Sequence, residues 1–159
     1  MTSPLKISVA KTVDGAKATI VGDLRDDVSA VLNRTASELA GVTGKVTFDC
    51  HGLSFINSQA IAFWSKFMRG LKMKLVFEGC SSYLIEYLNV FPELLGKGTV
   101  ASFFGPYTCK TCNKSAEIPF TVAKIDHEAG IPATVPCPSC SGKMACDVDP
   151  VEYLAFLGD

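Results

Sequence analysis

Apolar and polar residues alternate over Leu5–Ala10 (LKISVA) and again over Ala16–Val21 (AKATIV), with Asp14-Gly15 between them. Period-two alternation on either side of a turn-forming pair predicts two short strands joined as a β-hairpin. From Val28 the period changes. Val28, Val31, Leu32, Thr35 and Leu39 follow the three/four spacing of one helix face, with Asp26 or Asp27 as cap and Gly41 as stop. Lys45–Cys50 (KVTFDC) reads as a strand. In the next stretch Asn57 or Ser58 caps a helix whose buried face carries Ala60, Ile61, Trp64, Phe67 and Met68 and which ends at Gly70. Met73–Phe77 is another strand. Ser81 or Ser82 then opens a helix with Leu84, Ile85, Leu88 and Phe91 inward, stopped before Pro92, and Thr99–Phe104 is a final strand.

The order β-β-α-β-α-β-α-β predicts an α/β fold, a mixed β-sheet covered by helices. The most plausible boundary is Gly105-Pro106, which divides the chain into residues 1–104 and 105–159. A chain of 159 residues holds one ordinary hydrophobic core, so a second unit fits only if something other than a core stabilises it.

Cysteine placement supplies that something. Cys50 and Cys80 stand apart, whereas Cys109, Cys112, Cys137, Cys140 and Cys146 crowd together. CKTC at 109–112 and CPSC at 137–140 have the spacing of two metal knuckles: a tight turn aims each pair of sulfurs at one ion, and two pairs complete a tetrahedron. Residues 106–149 thus read as a zinc-ribbon-like β module with one structural Zn²⁺ per chain on Cys109, Cys112, Cys137 and Cys140. Mononuclear iron is the main chemical alternative, because thiolates are soft ligands. Four sulfurs close the shell and leave no place for water or substrate, so the metal is structural rather than catalytic. His127 reads as a surface turn residue and Cys146 as a buried thiol of the ribbon. The C-terminal DPVEYLAFL, with Pro150 in its first turn, predicts a short helix placing Val151, Tyr153, Leu154, Phe156 and Leu157 inward.

Charge narrows the partners. Residues 1–104 carry 11 Lys/Arg against 9 Asp/Glu, and residues 105–159 carry 4 against 7. Neither half has the basic excess of a protein held on phosphate backbones, so nucleic acid is disfavoured; Lys110, Lys114 and Tyr107 are the thin case for it. No apolar run approaches the roughly 20 residues needed to cross a bilayer, and no secretory signal opens the chain. A cytoplasmic setting without a membrane partner is expected.

Catalytic patterns fail in turn. Ser58 lacks both glycines of a nucleophile elbow, His51 has no evident acidic orienter, and GKGT at 96–99 is not a phosphate loop. No enzyme is expected.

One stretch resembles a known family. Val46–Ile61 (VTFDCHGLSFINSQAI) is similar to the hallmark of STAS domains, the bacterial anti-sigma-factor antagonists and related modules: a strand ending in Asp, a loop, then Phe-Ile-Asp-Ser-Ser/Thr-Gly-Leu opening a helix. Asp49 falls on the strand-end Asp, Ser54-Phe55-Ile56 on the approach, and Ser58 on the motif Ser. Asn57 replaces the motif Asp, Gln59 the next hydroxyl residue, Ala60 the Gly and Ile61 the Leu. The resemblance covers residues 5–104 and implies a sheet with helices on one side. It also implies action by protein contact, often with a serine-kinase anti-sigma factor or within a larger regulatory assembly. Ser58 is then the candidate phosphoacceptor, and Asp49, Ser54, Asn57, Ser58 and Gln59 form the candidate partner-binding loop. A structural adaptor without phosphorylation control, or a nucleic-acid-associated ribbon, is the alternative.

Overall fold

A computed structural model describes residues 3–158. The N-terminal hairpin forms as strands β1 (Lys6–Thr12) and β2 (Gly15–Leu24), antiparallel, with Thr12 opposite Gly15. Three crossovers follow: α1 (Ser29–Leu39) to β3 (Lys45–Ile56), α2 (Ser58–Arg69) to β4 (Lys74–Glu78), and α3 (Ser82–Val90) to β5 (Thr99–Val100). The sheet order is β1-β2-β3-β4-β5, with every pair after the first parallel. This is the mixed sheet covered by helices that the alternating periods predict.

Alternation decides which face is covered. Ala16, Ala18 and Ile20 of β2, Val46 and Phe48 of β3, and Leu75 and Phe77 of β4 are buried on the helical side. Phe48 packs edge-on to Trp64 of α2 and stacks on Phe77, at ring distances of 5.8 and 5.1 Å. Each large apolar side chain so buried contributes about 1.5–3 kcal/mol. On the opposite face Lys17 lies 3.2 Å from Glu78 and 3.9 Å from Asp49, which suits a surface that meets water.

β3 is twice as long as the KVTFDC pattern predicts. Cys50, Leu53 and Ile56 are its later buried residues, at steps of three rather than two. Register shifts against β2 at Thr19/Val21 and Gly22/Asp23 explain the slip, since each irregularity resets which face the next residue meets. A side chain on Gly52 would begin 2.9 Å from the Ile20 carbonyl oxygen, so only glycine lets the strands pass here.

The expected final strand over 99–104 divides. β5 is two residues long, and after Ala101 the chain enters β6 (Ser102–Cys109), which runs through Gly105-Pro106 into a second, antiparallel sheet. β7 (Ser115–Thr121), β8 (Thr134–Pro136) and β9 (Lys143–Cys146) complete it in the order β7-β6-β9-β8. The last expected helix is a 3-10 helix, Glu152–Leu157, whose start is held by Asp149 Oδ1 accepting the Val151 and Glu152 N–H groups. Tyr153 and Leu154 are buried as expected, but Val151 is 48% exposed, because the helix begins one residue after it and leaves it as the flanking cap position.

The two sheets share one apolar interior. Phe103 packs against Phe120, Tyr153 and Phe156 at ring distances of 5.6, 6.1 and 5.2 Å. Cys80 and Phe103 form a parallel bridge, and Asn89 of α3 donates to the Tyr153 carbonyl at 3.1 Å.

Candidate metal centre and interaction face

The four predicted ligands converge. One sulfur from each of Cys109, Cys112, Cys137 and Cys140 lies within 4.8 Å of the others, with Cys109–Cys140 at 3.6 Å and Cys112–Cys137 at 3.8 Å. A tetrahedron with metal–sulfur bonds of about 2.3 Å has edges of about 3.8 Å, so a single ion fits between them. Each knuckle is a local turn. Cys109 ends β6, and the Cys112 N–H donates to its sulfur at 3.5 Å; Asn113 follows in the left-handed region, φ 60°, and its N–H donates to the Cys109 carbonyl. Across the sheet, Ser139 N–H donates to Cys137 sulfur at 3.4 Å and Gly142 N–H to Cys140 sulfur at 3.3 Å. Gly142 is required sterically, because a Cβ there would lie 2.5 Å from Thr111 Oγ1.

Electrostatics points the same way. The Cys112 N–H, chiefly, holds the Cys109 thiol down to about 6. Gly142 N–H lowers Cys140 too, but the Cys109 sulfur beside it and burial win and push it up to about 12. Crowded thiols share too little positive potential for all four to ionise, and a bound divalent cation supplies what is missing.

The other ribbon expectations divide. His127 is exposed, as predicted. Cys146 is half-buried rather than buried, as β9 ends there at the surface. Tyr107 is fully buried and its hydroxyl donates to the Pro132 carbonyl at 2.6 Å, so it presents no stacking face and the thin case for nucleic acid loses its aromatic residue. Cys50 and Cys80, far apart in sequence and both free thiols, are brought together: the neighbouring Cys80 thiol, chiefly, and burial raise the Cys50 thiol well above its ordinary range.

The expected partner-binding loop does not stay together. Asp49 lies within β3, not at its end, where it accepts the His51 N–H at 3.1 Å and pairs with Lys17. Seven strand residues separate it from Asn57, a distance of order 25 Å along an extended chain. Ser54 turns to β2 and donates to Asp23 Oδ1 at 2.9 Å and to the Gly22 carbonyl at 3.2 Å. Asn57, Ser58 and Gln59 do form one site, at the start of α2. Asn57 is the cap: its Oδ1 accepts the Ala60 N–H at 3.0 Å and the Asp26 N–H at 3.1 Å, and its Nδ2 donates to Asp26 Oδ1 at 2.8 Å. Asp26, with φ 59°, is thus spent on Asn57 rather than on capping α1. Ser58 is the first helical residue and exposed, and its hydroxyl makes no hydrogen bond among the described residues.

Beside this site runs a row that the sequence does not reveal, because its members come from separate parts of the chain: the residue after β2, β3, and α3 with the residue that follows it. The Arg25 guanidinium lies 4.0 Å above the Phe55 ring. Phe55 stacks on Tyr83 at 6.4 Å, Tyr83 meets Tyr87 at 5.0 Å, and Tyr87 stacks on Phe91 at 6.2 Å. All five are half-buried, including Phe91, which the helical pattern places inward. The Tyr83 hydroxyl bonds to both the N–H and the carbonyl of Ile56, which ties the row to the residue before the Asn57 cap.

Fold and site together define an α/β unit joined to a small antiparallel sheet whose four clustered cysteines have the geometry of a metal site. No protein-family model matches the sequence, and no curated protein matches it. Among the described residues no helix is long and apolar enough to cross a membrane.

Proposed function

We propose that the protein is a non-enzymatic interaction module in bacterial regulatory signalling, resembling an anti-sigma-factor antagonist, with residues 105–159 stabilised by one structural Zn²⁺. The observation that carries this reading is the free Ser58 hydroxyl at the start of α2, bordered by the row from Arg25 to Phe91. Aromatic rings and arginine dominate protein interfaces, and five half-buried ones in contact form a surface suited to a protein partner. A serine-kinase anti-sigma factor, or a larger regulatory assembly, is the partner class that the STAS resemblance implies. Phosphate on Ser58 adds about −1.5 to −2 charge at a helix start that tolerates it, so the fold persists while the partner is excluded.

Asn57 carries the cap, which separates stability from signalling at adjacent residues. Ser58→Ala should leave stability and binding unchanged, Ser58→Asp should leave stability unchanged and weaken binding, and Asn57→Ala should cost about 1–2 kcal/mol. Calorimetric partner affinity alongside thermal unfolding distinguishes them. Gln59 and Ala60, standing where the family motif has a hydroxyl residue and glycine, favour the second reading, an adaptor without a switch. Equal partner affinity for wild type, Ser58→Asp and the phosphorylated protein would decide for it.

A further inference from the structure

The outer face of α2 lies between two open grooves. One, of about 730 Å³, separates it from the corner after α3 and is lined by Ser58, Ser65, Arg69, Phe91 and Glu93 among others. The other, of about 760 Å³, separates it from α1 and is lined by Asn33, Ala36, Phe63 and Lys66 among others. Ser58, Ser65 and Arg69 recur at helical spacing, so the first groove runs nearly the full length of α2. Its lining includes buried Ser65, whose hydroxyl has no hydrogen-bond partner. Lys66 and Arg69 are exposed and have no carboxylate within ion-pair distance among the described residues. Among the described residues Glu93 is the only acid lining either groove, and exposed Lys72 continues the positive charge just beyond the helix.

We propose that this face of α2, with the groove on each side, docks an acidic segment of a protein partner, its apolar side chains entering the grooves and its carboxylates meeting Lys66 and Arg69. This rests on the interaction reading above and adds to it the chemistry of the partner. Charge complementarity argues for the acid, since two unpaired cations flank grooves of mixed polar and apolar lining that a basic segment would enter only against repulsion. It also gives the Ser58 switch a direction: a phosphate at the head of the same groove repels the same carboxylates.

A carbodiimide that joins amines directly to carboxylates tests this on the full chain in lysate of the source cells. Three forms are compared: wild type, Arg69→Glu, which keeps the Lys66 amine available to the reagent, and a control with the same charge change on β1, Lys11→Glu. Thermal unfolding confirms that each is folded. The expected result is a cross-link from Lys66 to an Asp or Glu of another protein in wild type and control, with about tenfold less of that protein recovered by the α2 variant. Equal recovery by all three, with cross-links confined to other lysines, would overturn the placement on α2 and leave the interaction reading standing. Absence of any cross-linked protein in all three would overturn both.

Discussion

Replacing Phe103 with alanine probes whether the two sheets unfold as one. Its ring is 1% exposed and touches Phe120 of β7 and Tyr153 and Phe156 of the C-terminal turn, while its backbone bridges to Cys80 beside α3. Buried Phe→Ala changes cost about 3–5 kcal/mol, and the three aromatic contacts place this site toward the upper half of that range. With a urea dependence of about 2 kcal/mol per molar, the midpoint falls by about 2 M. Two signals report on different parts of the chain: fluorescence of Trp64, buried in α2 with its Nε1–H donating to the Leu94 carbonyl, and metal released from the four cysteines to a chromogenic chelator. Both midpoints should fall together in Phe103→Ala. A Trp64 transition that stays at the wild-type midpoint while metal release alone moves would refute a shared interior.

Three further outcomes follow from the same geometry. Purified protein should contain about one zinc per chain by elemental analysis, and Cys112→Ser should lose it together with dispersed amide signals from residues 106–149; a folded, metal-free ribbon would contradict this. Residues 1–104 carry the five-stranded sheet with its three helices and should melt cooperatively when produced alone, at a lower temperature than the full chain because Tyr153 and Leu154 no longer cover α3; a broad, non-cooperative melt would argue against the division. Asp149 is held below its ordinary value of 3.8 by the N–H groups of Glu152 and Val151, so its contribution to the C-terminal turn is complete above that pH and fades as pH falls through the lowered folded-state value. A carboxyl NMR titration midpoint at or above 3.8 would contradict the cap.

Much of this arrangement was legible in the sequence wherever one period held over a whole element. α2 reads directly, since Ala60, Ile61, Trp64, Phe67 and Met68 all face inward, and the cysteine spacing locates the four-sulfur cluster because two residues fix each knuckle. Legibility fails where the phase slips. Past Cys50 the register irregularities make a strand look like a loop, which also removes Asp49 from the interaction site. Adjacent capping residues are likewise ambiguous: Asn57 and Ser58 both suit a helix start, and the Ala60 N–H donating to Asn57 Oδ1 settles which one caps. Sequence periodicity does not report on tertiary neighbours. The meeting of Cys50 with Cys80 and the row from Arg25 to Phe91 depend on strand order and helix placement, not on local pattern.

The C-terminal turn reaches far back along the chain. The Tyr153 hydroxyl donates to the Phe104 carbonyl and its own carbonyl accepts from Asn89, contacts spanning 49 and 64 residues. During synthesis these cannot close until Tyr153 has left the ribosome, long after α3 has emerged. For that interval the side of α3 that Tyr153 and Leu154 will cover stays bare, as does one flank of Phe103. Translation itself therefore sets an order of emergence: the five-stranded sheet and its helices leave the ribosome first, the two cysteine knuckles next, and the turn that carries Tyr153 after them, to seal the seam between the sheets. A nascent chain stalled before residue 153 would be the form most open to chaperones and proteases, although all four clustered cysteines had already been made.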